Sequence, residues 1–232
     1  MSPSIILLET STSLCSVALL QGDAVTAVRC SGEPRAHAAM TAVYVKEVLE
    51  ERGLKVSDCD AVCLSMGPGS YTGLRVGSST AKGLCFGGGI PLLAVGTLDV
   101  LAAQAIAEGL PDGCRYIVPM IDARRMEVYS AVYSTDGKRL TEVAPVVVEG
   151  LGSLVDGSAG GILFIGDGVE KCRELLDGPG LWFRQECPRA EAMAAPALRE
   201  WRAGAFRDTA YFEPFYLKDF IATTPKSILP AR

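Results

Sequence analysis

The sequence predicts an α/β protein of two related halves, each a mixed β-sheet flanked by helices. Three observations carry that expectation. Short apolar runs of strand length alternate with longer stretches of helical periodicity along the chain, the pattern of layered sheets and helices. The pattern also repeats: each half reads strand, acidic residue, tight turn, strand, strand, helix, strand, helix. The acid is Glu9 before TSTSLCSVALL in the first half and Asp122 before ARRMEVYSAVY in the second. Finally, 232 residues that are 49% hydrophobic and 21% charged are enough to bury a core without disulfide staples.

In chain order, Ile5–Leu8, Ser16–Leu20 and Ala24–Cys30 read as strands separated by short polar turns. Ala36 to Arg52 reads as a helix stopped by Gly53, and Ala61–Met66 as a strand. A second helix starts near Gly73 and ends at Gly87–Gly89, followed by a short strand, Pro91–Val95. Thr97–Glu108 reads as a helix with Thr97 as its N-cap. The second half gives strands at Tyr116–Ile121, Val128–Tyr133, Arg139–Val148 and Ile162–Ile165. Its helices fall at Leu151–Asp156, Val169–Leu176 and Ala190–Ala203. The expected division is an N-terminal lobe, 1–108, carrying partner-binding helices, and a C-terminal lobe with its tail, 109–232.

The net charge of −5 opposes nucleic acid, because each phosphate contact rests on a Lys or Arg; work on RNA would need a partner's positive surface. SIILL at 4–8 is too short for a secretory h-region and has no basic residue before it. The apolar stretch from Ile90 to Ala107 is interrupted by Gly96, Asp99 and Gln104, so no membrane span is expected and the compartment reads as cytoplasmic. The eight cysteines then read as free thiols, and Cys59 and Cys63, facing one side of a strand, as small buried hydrophobes. With one histidine, His37, a two-histidine metal motif is excluded and no metal site is expected.

The segment MGPGSYTGLRVGSSTAKGL, 66–84, matches neither GxxxxGK[ST] nor GxGxxG. A non-standard glycine nest holding an anion stays open beside a packing role. Gly73, Gly77, Ala81 and Cys85 recur every four residues and line one helix face, which suits close approach of another backbone, from the chain's own sheet or a partner's helix. The helix at 36–52 carries two apolar stripes: Ala38, Ala42, Val45 and Leu49, and Met40, Val43, Tyr44 and Val48. A surface helix needs one such face, so the second is available to a partner or is buried within the domain. No catalytic constellation appears: His37 has no nucleophile to serve, and Glu9 and Asp122 are also ordinary turn residues.

ILLETSTSLCSVAL at 6–19, GPGSYTGLRVG at 67–77, GTLDVLA at 96–102, DARRMEVY at 122–129 and PFYLKDF at 214–220 together resemble the TsaB (YeaZ) family, in order and over most of the chain. Glu9 stands where aspartate is frequent in that family, and Lys218 where arginine is. The resemblance implies two related lobes of the actin, sugar-kinase and chaperone-ATPase type. It implies a non-catalytic subunit of the bacterial complex that makes threonylcarbamoyladenosine in tRNA. That complex contains the catalytic subunit TsaD, the ATPase TsaE and the adenylate-making TsaC, so tRNA is met only through the complex. TsaD-like proteins bind metal through paired histidines on the first long helix, where this chain has only His37.

Kinases of that fold bring glycine-containing turns to the ATP phosphates. Here Glu9-Thr-Ser-Thr-Ser and Asp122-Ala-Arg-Arg-Met have no glycine, which argues against the alternative of an ATP-dependent small-molecule kinase. A glycoprotease-like hydrolase lacks its metal pair and its nucleophile–base pair. The expectation is a helical interface with TsaD near Met40, Tyr44, Gly73, Gly77 and Ala81, and a homodimer when the chain is alone. No cofactor is expected of the chain itself. Arg75, Lys82, Arg124 and Arg125 are the candidates for a nucleotide or tRNA phosphate at the assembled interface, against the reading that they are solvated surface charges.

Overall fold

The computed structural model describes residues 2–149, 161–173, 175–176 and 178–217. The chain opens with a meander of β1 (Ser4–Glu9), β2 (Cys15–Gln21) and β3 (Ala24–Ser31), followed by α1 (Ala36–Glu50). β4 (Ala61–Ser65), α2 (Tyr71–Gly88), β5 (Leu92–Val95) and α3 (Thr97–Ala107) complete the first half. The second half holds β6 (Tyr116–Asp122), β7 (Glu127–Ser130), β8 (Tyr133–Ser134), β9 (Ala144–Val147), β10 (Ile162–Ile165), α4 (Glu170–Arg173), β11 (Leu181–Arg184) and α5 (Ala194–Arg202).

The first sheet has the order β3-β2-β1-β4-β5, and the second the order β11-β10-β6-β7-β9, with β8 paired to β6 beside that path. Read from the other edge, the second repeats the first. In each, a central strand pairs antiparallel with the hairpin strand after it and parallel with a later strand. The duplication expected from the sequence is therefore a property of the fold, as are its two lobes of mixed sheet flanked by helices.

β1 is buried on both faces, which explains why its apolar residues run consecutively instead of alternating. Ile6 and Leu8 enter a core with Val45, Val48 and Leu49 of α1 and Ala81 and Cys85 of α2. Ile5 and Leu7 enter a second core closed by Ala190, Met193, Ala197 and Leu198, from the 3-10 turn Ala190–Met193 and α5. The segment at 190–202 thus returns across the chain and covers the first sheet. α3 lies between the sheets: Val100 packs with the first, and Leu98, Leu101, Ala102 and Ala105 pack with Ile117, Ile121, Tyr133 and Leu163 of the second.

Several elements differ from expectation. The stretch 128–133 breaks after Ser130, and 139–148 narrows to Ala144–Val147. β11, LWFR, is a strand that periodicity did not announce. Gly96 occupies the N-cap of α3; Thr97 begins the helix, and its hydroxyl shares a hydrogen bond of 2.8 Å with that of Ser65. Cys59 precedes β4 and joins the first core, whereas Cys63 joins the second, so the two do not share a strand face. Burial pushes the Cys59 thiol up to about 11 and the Cys63 thiol higher still, as expected of thiols packed as small hydrophobes. The helix expected at 151–156 and the residues from Lys218 onward lie outside the described residues.

Candidate partner surface and the cleft between the sheets

In both sheets the central parallel strands end at polar residues: Glu9 closes β1, Ser65 closes β4, Asp122 closes β6, and Asp167 follows β10. The carboxyl ends of parallel strands are where open α/β sheets bind ligands. Here the entrance to the first sheet is filled by the chain itself. The turn from Thr10 to Ser13 lies against the start of α2: Ser70 N–H donates to Ser11 O at 2.6 Å, and Thr10 Oγ1 donates to Gly73 O at 2.9 Å. Gly73 N–H is taken by Ser70 Oγ at 3.3 Å and Leu74 N–H by Ser70 O at 2.8 Å. A Cβ on Gly69 would collide with Ser11 O, one on Gly73 with Thr10 O, and one on Gly77 with Thr10 Oγ1. These glycines admit the β1–β2 turn, so of the two readings of 66–84 the structure supports packing against the chain's own backbone.

Expected partner contacts therefore divide. Gly73, Gly77 and Ala81 are buried inside the chain and present no free face; the sequence showed a small-residue stripe but not which neighbour it met. Met40 and Tyr44 are half-buried, with Tyr44 packed against the first core. The two stripes expected on α1 also resolve differently. Thr41, Val45, Val48 and Leu49 face inward, while Ala38, Ala39, Ala42 and Val43 are exposed. On α2 the outward side carries Thr72, Arg75, Ser79, Gly83 and Phe86. Phe86 is 91% exposed, and sequence reasoning missed it. Its signal was its place in the i, i+4, i+7 row from Ser79 through Gly83, opposite the buried glycines.

The basic candidates fall into two places. Arg75 lies over the Tyr71 ring, 4.0 Å from its centroid, and Tyr71 in turn meets Tyr216 at 5.1 Å. Lys82 donates to Ala210 O at 3.1 Å. Arg124 and Arg125 sit at the β6–β7 turn of the other sheet with left-handed backbone, φ 65° and 51°. That turn is closed by Asp122, whose Oδ1 accepts Arg124 N–H at 2.6 Å and pairs with Lys171. Lys171 also donates to Arg125 O at 2.7 Å.

At the buried end of β1, burial pushes the Glu9 carboxyl up to about 7, with hydrogen bonding from Ser11 working against the shift and the charge of Asp167 adding to it. Burial likewise raises Asp167 to about 6. Asp99 at the start of α3 accepts a hydrogen bond of 2.9 Å from Tyr133 OH, joining α3 to the second sheet. Among the described residues no helix is long and apolar enough to cross a membrane.

The family model for TsaD, tRNA N6-adenosine threonylcarbamoyltransferase, matches residues 33–222. The Escherichia coli protein named tRNA threonylcarbamoyladenosine biosynthesis protein TsaB is 31% identical over 231 residues, covering 94% of this chain and 96% of that one. The solved structure of YeaZ from Pseudomonas aeruginosa superposes with a TM-score of 0.83 at 30% identity, over 94% of this chain and all of that one. The Clostridium difficile activator of 2-hydroxyisocaproyl-CoA dehydratase, solved with bound ADPNP, shares the fold alone, at a TM-score of 0.50 and 9% identity over 87% of this chain and 97% of that one. With its near full-length relatives and the two-sheet architecture in agreement, the chain belongs to the TsaB (YeaZ) family.

Proposed function

We propose that the chain is a non-catalytic accessory subunit in the synthesis of threonylcarbamoyladenosine in tRNA, and that it docks on the catalytic subunit TsaD through the outer faces of α1 and α2. The names of its relatives support the pathway. The observation that carries the docking surface is the pair of exposed small-residue faces, Ala38, Ala39, Ala42 and Val43 on α1 and Ser79 and Gly83 on α2, with Phe86 standing free beside them. Small residues let helices approach to the near end of the ~8–10 Å range, and an isolated exposed aromatic is the kind of group that anchors an interface. Because this chain matches the TsaD model itself, a TsaD partner presents comparable helices, and the same surface serves a homodimer when the chain is alone. TsaE joins the assembly, tRNA is met only through it, and the complex works in the cytoplasm. Arg75 and Lys82 on α2 and Arg124 and Arg125 on the second sheet are the groups for a nucleotide or tRNA phosphate there.

Light scattering of the chain mixed with TsaD of its own organism tests this reading. The expected result is a one-to-one or two-to-one complex that Ala42→Glu and Phe86→Glu each abolish without lowering the melting temperature of the isolated chain. Co-elution that survives both substitutions removes this surface from the interface. No complex, with or without nucleotide and TsaE, overturns the accessory-subunit reading.

A further inference from the structure

At the start of α2, two aromatic rings and a guanidinium are stacked at the surface. Tyr71 opens the helix, and Arg75, one turn on, lies over its ring with Cζ 4.0 Å from the centroid. Tyr216 meets the same ring at 5.1 Å between centroids, tilted by 45°. Tyr216 reaches this place because the segment after α5 runs along α2. Lys82 Nζ donates to Ala210 O at 3.1 Å, and Phe215 N–H donates to Met66 O at 2.8 Å. Arg207 N–H on Leu92 O, at 2.8 Å, fixes the segment's start, and Phe212 packs into the first core. The outer side of the segment is left aromatic. Tyr211, Phe215 and Tyr216 are exposed, and a hollow of about 490 Å³ lies among Met66, Arg207, Phe212 and Phe215.

Most charges at this surface are committed. Arg207 pairs with Glu200, and Lys82 is taken by Ala210 O. Asp208 accepts Ala210 N–H at 2.8 Å and Tyr211 N–H at 3.1 Å. Glu213 is the acid left facing solvent. Arg75 is exposed, and among the described residues no carboxylate pairs with its guanidinium. A guanidinium already held over a ring loses less freedom when its N–H fork takes an anion, and that fork matches two oxygens of a phosphate. A free-standing ring such as Phe86 is the kind that a protein pocket encloses. Tyr216, Tyr71 and Arg75 are instead ordered in series, an arrangement that one more planar ring extends. An unpaired nucleotide uses both features, its base on the aromatic face and its phosphate on the cation.

We propose that Tyr71, Arg75 and Tyr216 form a stacking platform for one unpaired nucleotide of the tRNA, with the base on the Tyr216 ring and the phosphate on Arg75. This rests on the role in tRNA modification proposed above. Of the basic candidates, Arg75 is the one that meets the RNA here, while Lys82 fastens the segment that carries Tyr216. One base and one phosphate give weak binding in a chain of net charge −5, so the platform orients RNA that the rest of the complex also holds.

The test is fluorescence anisotropy of the full chain, alone and mixed with TsaD, against a labelled single-stranded oligoribonucleotide at salt from about 50 to about 200 mM. Tyr216→Ala should weaken binding about tenfold, and Tyr216→Phe should bind as the wild type does. Arg75→Gln should also weaken binding, and should reduce the slope of log affinity against log salt by about 0.7, the share of one phosphate on a single strand. A merely structural loss would leave that slope alone, so Arg75→Gln keeps the test decisive if Tyr216→Ala loosens the segment. A duplex of the same sequence, its bases already stacked, should not distinguish Tyr216→Ala from the wild type. By light scattering both variants should assemble with TsaD as the wild type does. Overturning results are wild-type affinity in Tyr216→Ala, an unchanged salt slope in Arg75→Gln, or no RNA binding by the wild type, alone or mixed. Loss of assembly in either variant would make the surface a protein contact, and would also overturn the platform. If the wild type itself does not assemble with TsaD, the accessory-subunit reading fails, and the RNA comparison on the chain alone still decides the platform.

Discussion

Glycines on α2 do opposite jobs at positions ten residues apart. Gly73 and Gly77 lie under Thr10, where a methyl group has no room, whereas a Cβ on Gly83 meets nothing within 4 Å. Gly77→Ala should therefore lower stability by about 1–3 kcal/mol through overpacking. Gly83→Ala should raise it by about 0.5–1 kcal/mol, because alanine relieves the helical cost of an exposed interior glycine. Urea denaturation of the two variants checks both signs, and a stabilised Gly77→Ala would mean that the β1–β2 turn yields easily. Arg124 and Arg125 pose the same kind of question. Both hold left-handed backbone that glycine adopts without strain. Arg125→Gly should leave stability unchanged or raise it by up to about 1 kcal/mol. If it also lowers tRNA modification with the complex intact, the side chain has a functional reason to be there; full activity returns it to the solvated surface charges.

At the scale of the element, α1 and α2 show why periodicity located the helices but not their outward faces. Alanine and glycine satisfy a buried face and an exposed one equally well, so the Gly73–Gly77–Ala81 row and the Ala38–Ala42 row looked alike in sequence. Only the fold shows that the first is filled by Thr10 and that the second faces solvent. β1 was legible because a strand buried on both faces reads as an unbroken apolar run; LWFR was not, because four residues between glycines and charges carry no period. The glycine-free turn after Glu9 was legible as a departure from phosphate binding, whereas the lone Oε2 behind it depends on contacts distant in sequence. The outward face of α2 carries a prediction of its own. Gly83→Ala should weaken association with TsaD or with a second copy while stabilising the monomer, since an added methyl costs nothing in solvent but separates closely packed helices. Light scattering beside the denaturation series reads both effects, and unchanged association would place Gly83 outside the contact.

For the whole molecule, the two sheets repeat one another, yet their packing predicts a single folding unit. Ile5, Leu7, Ala18, Leu20, Ala61, Cys63 and Leu93 of the first sheet are covered by Ala190, Met193, Ala197 and Leu198, which follow the entire second sheet in sequence. The C-terminal segment also shields the edge at β5, where Arg207 N–H donates to Leu92 O at 2.8 Å, and Phe212 packs against the first core. A division at residue 108 thus separates the sheets while exposing a full apolar face of the first. Each large side chain uncovered forfeits roughly 1.5–3 kcal/mol, so even a few exceed what separates folded from unfolded states in most domains. The full chain should unfold in one cooperative transition seen identically by fluorescence and circular dichroism. Residues 1–108 alone should bind hydrophobic dye and melt without cooperativity, and a peptide of residues 186–217 added in trans should restore a transition. A fragment 1–108 that melts cooperatively by itself would show instead that the returning segment ornaments a lobe already able to fold, and would make the 108/109 division a true domain boundary.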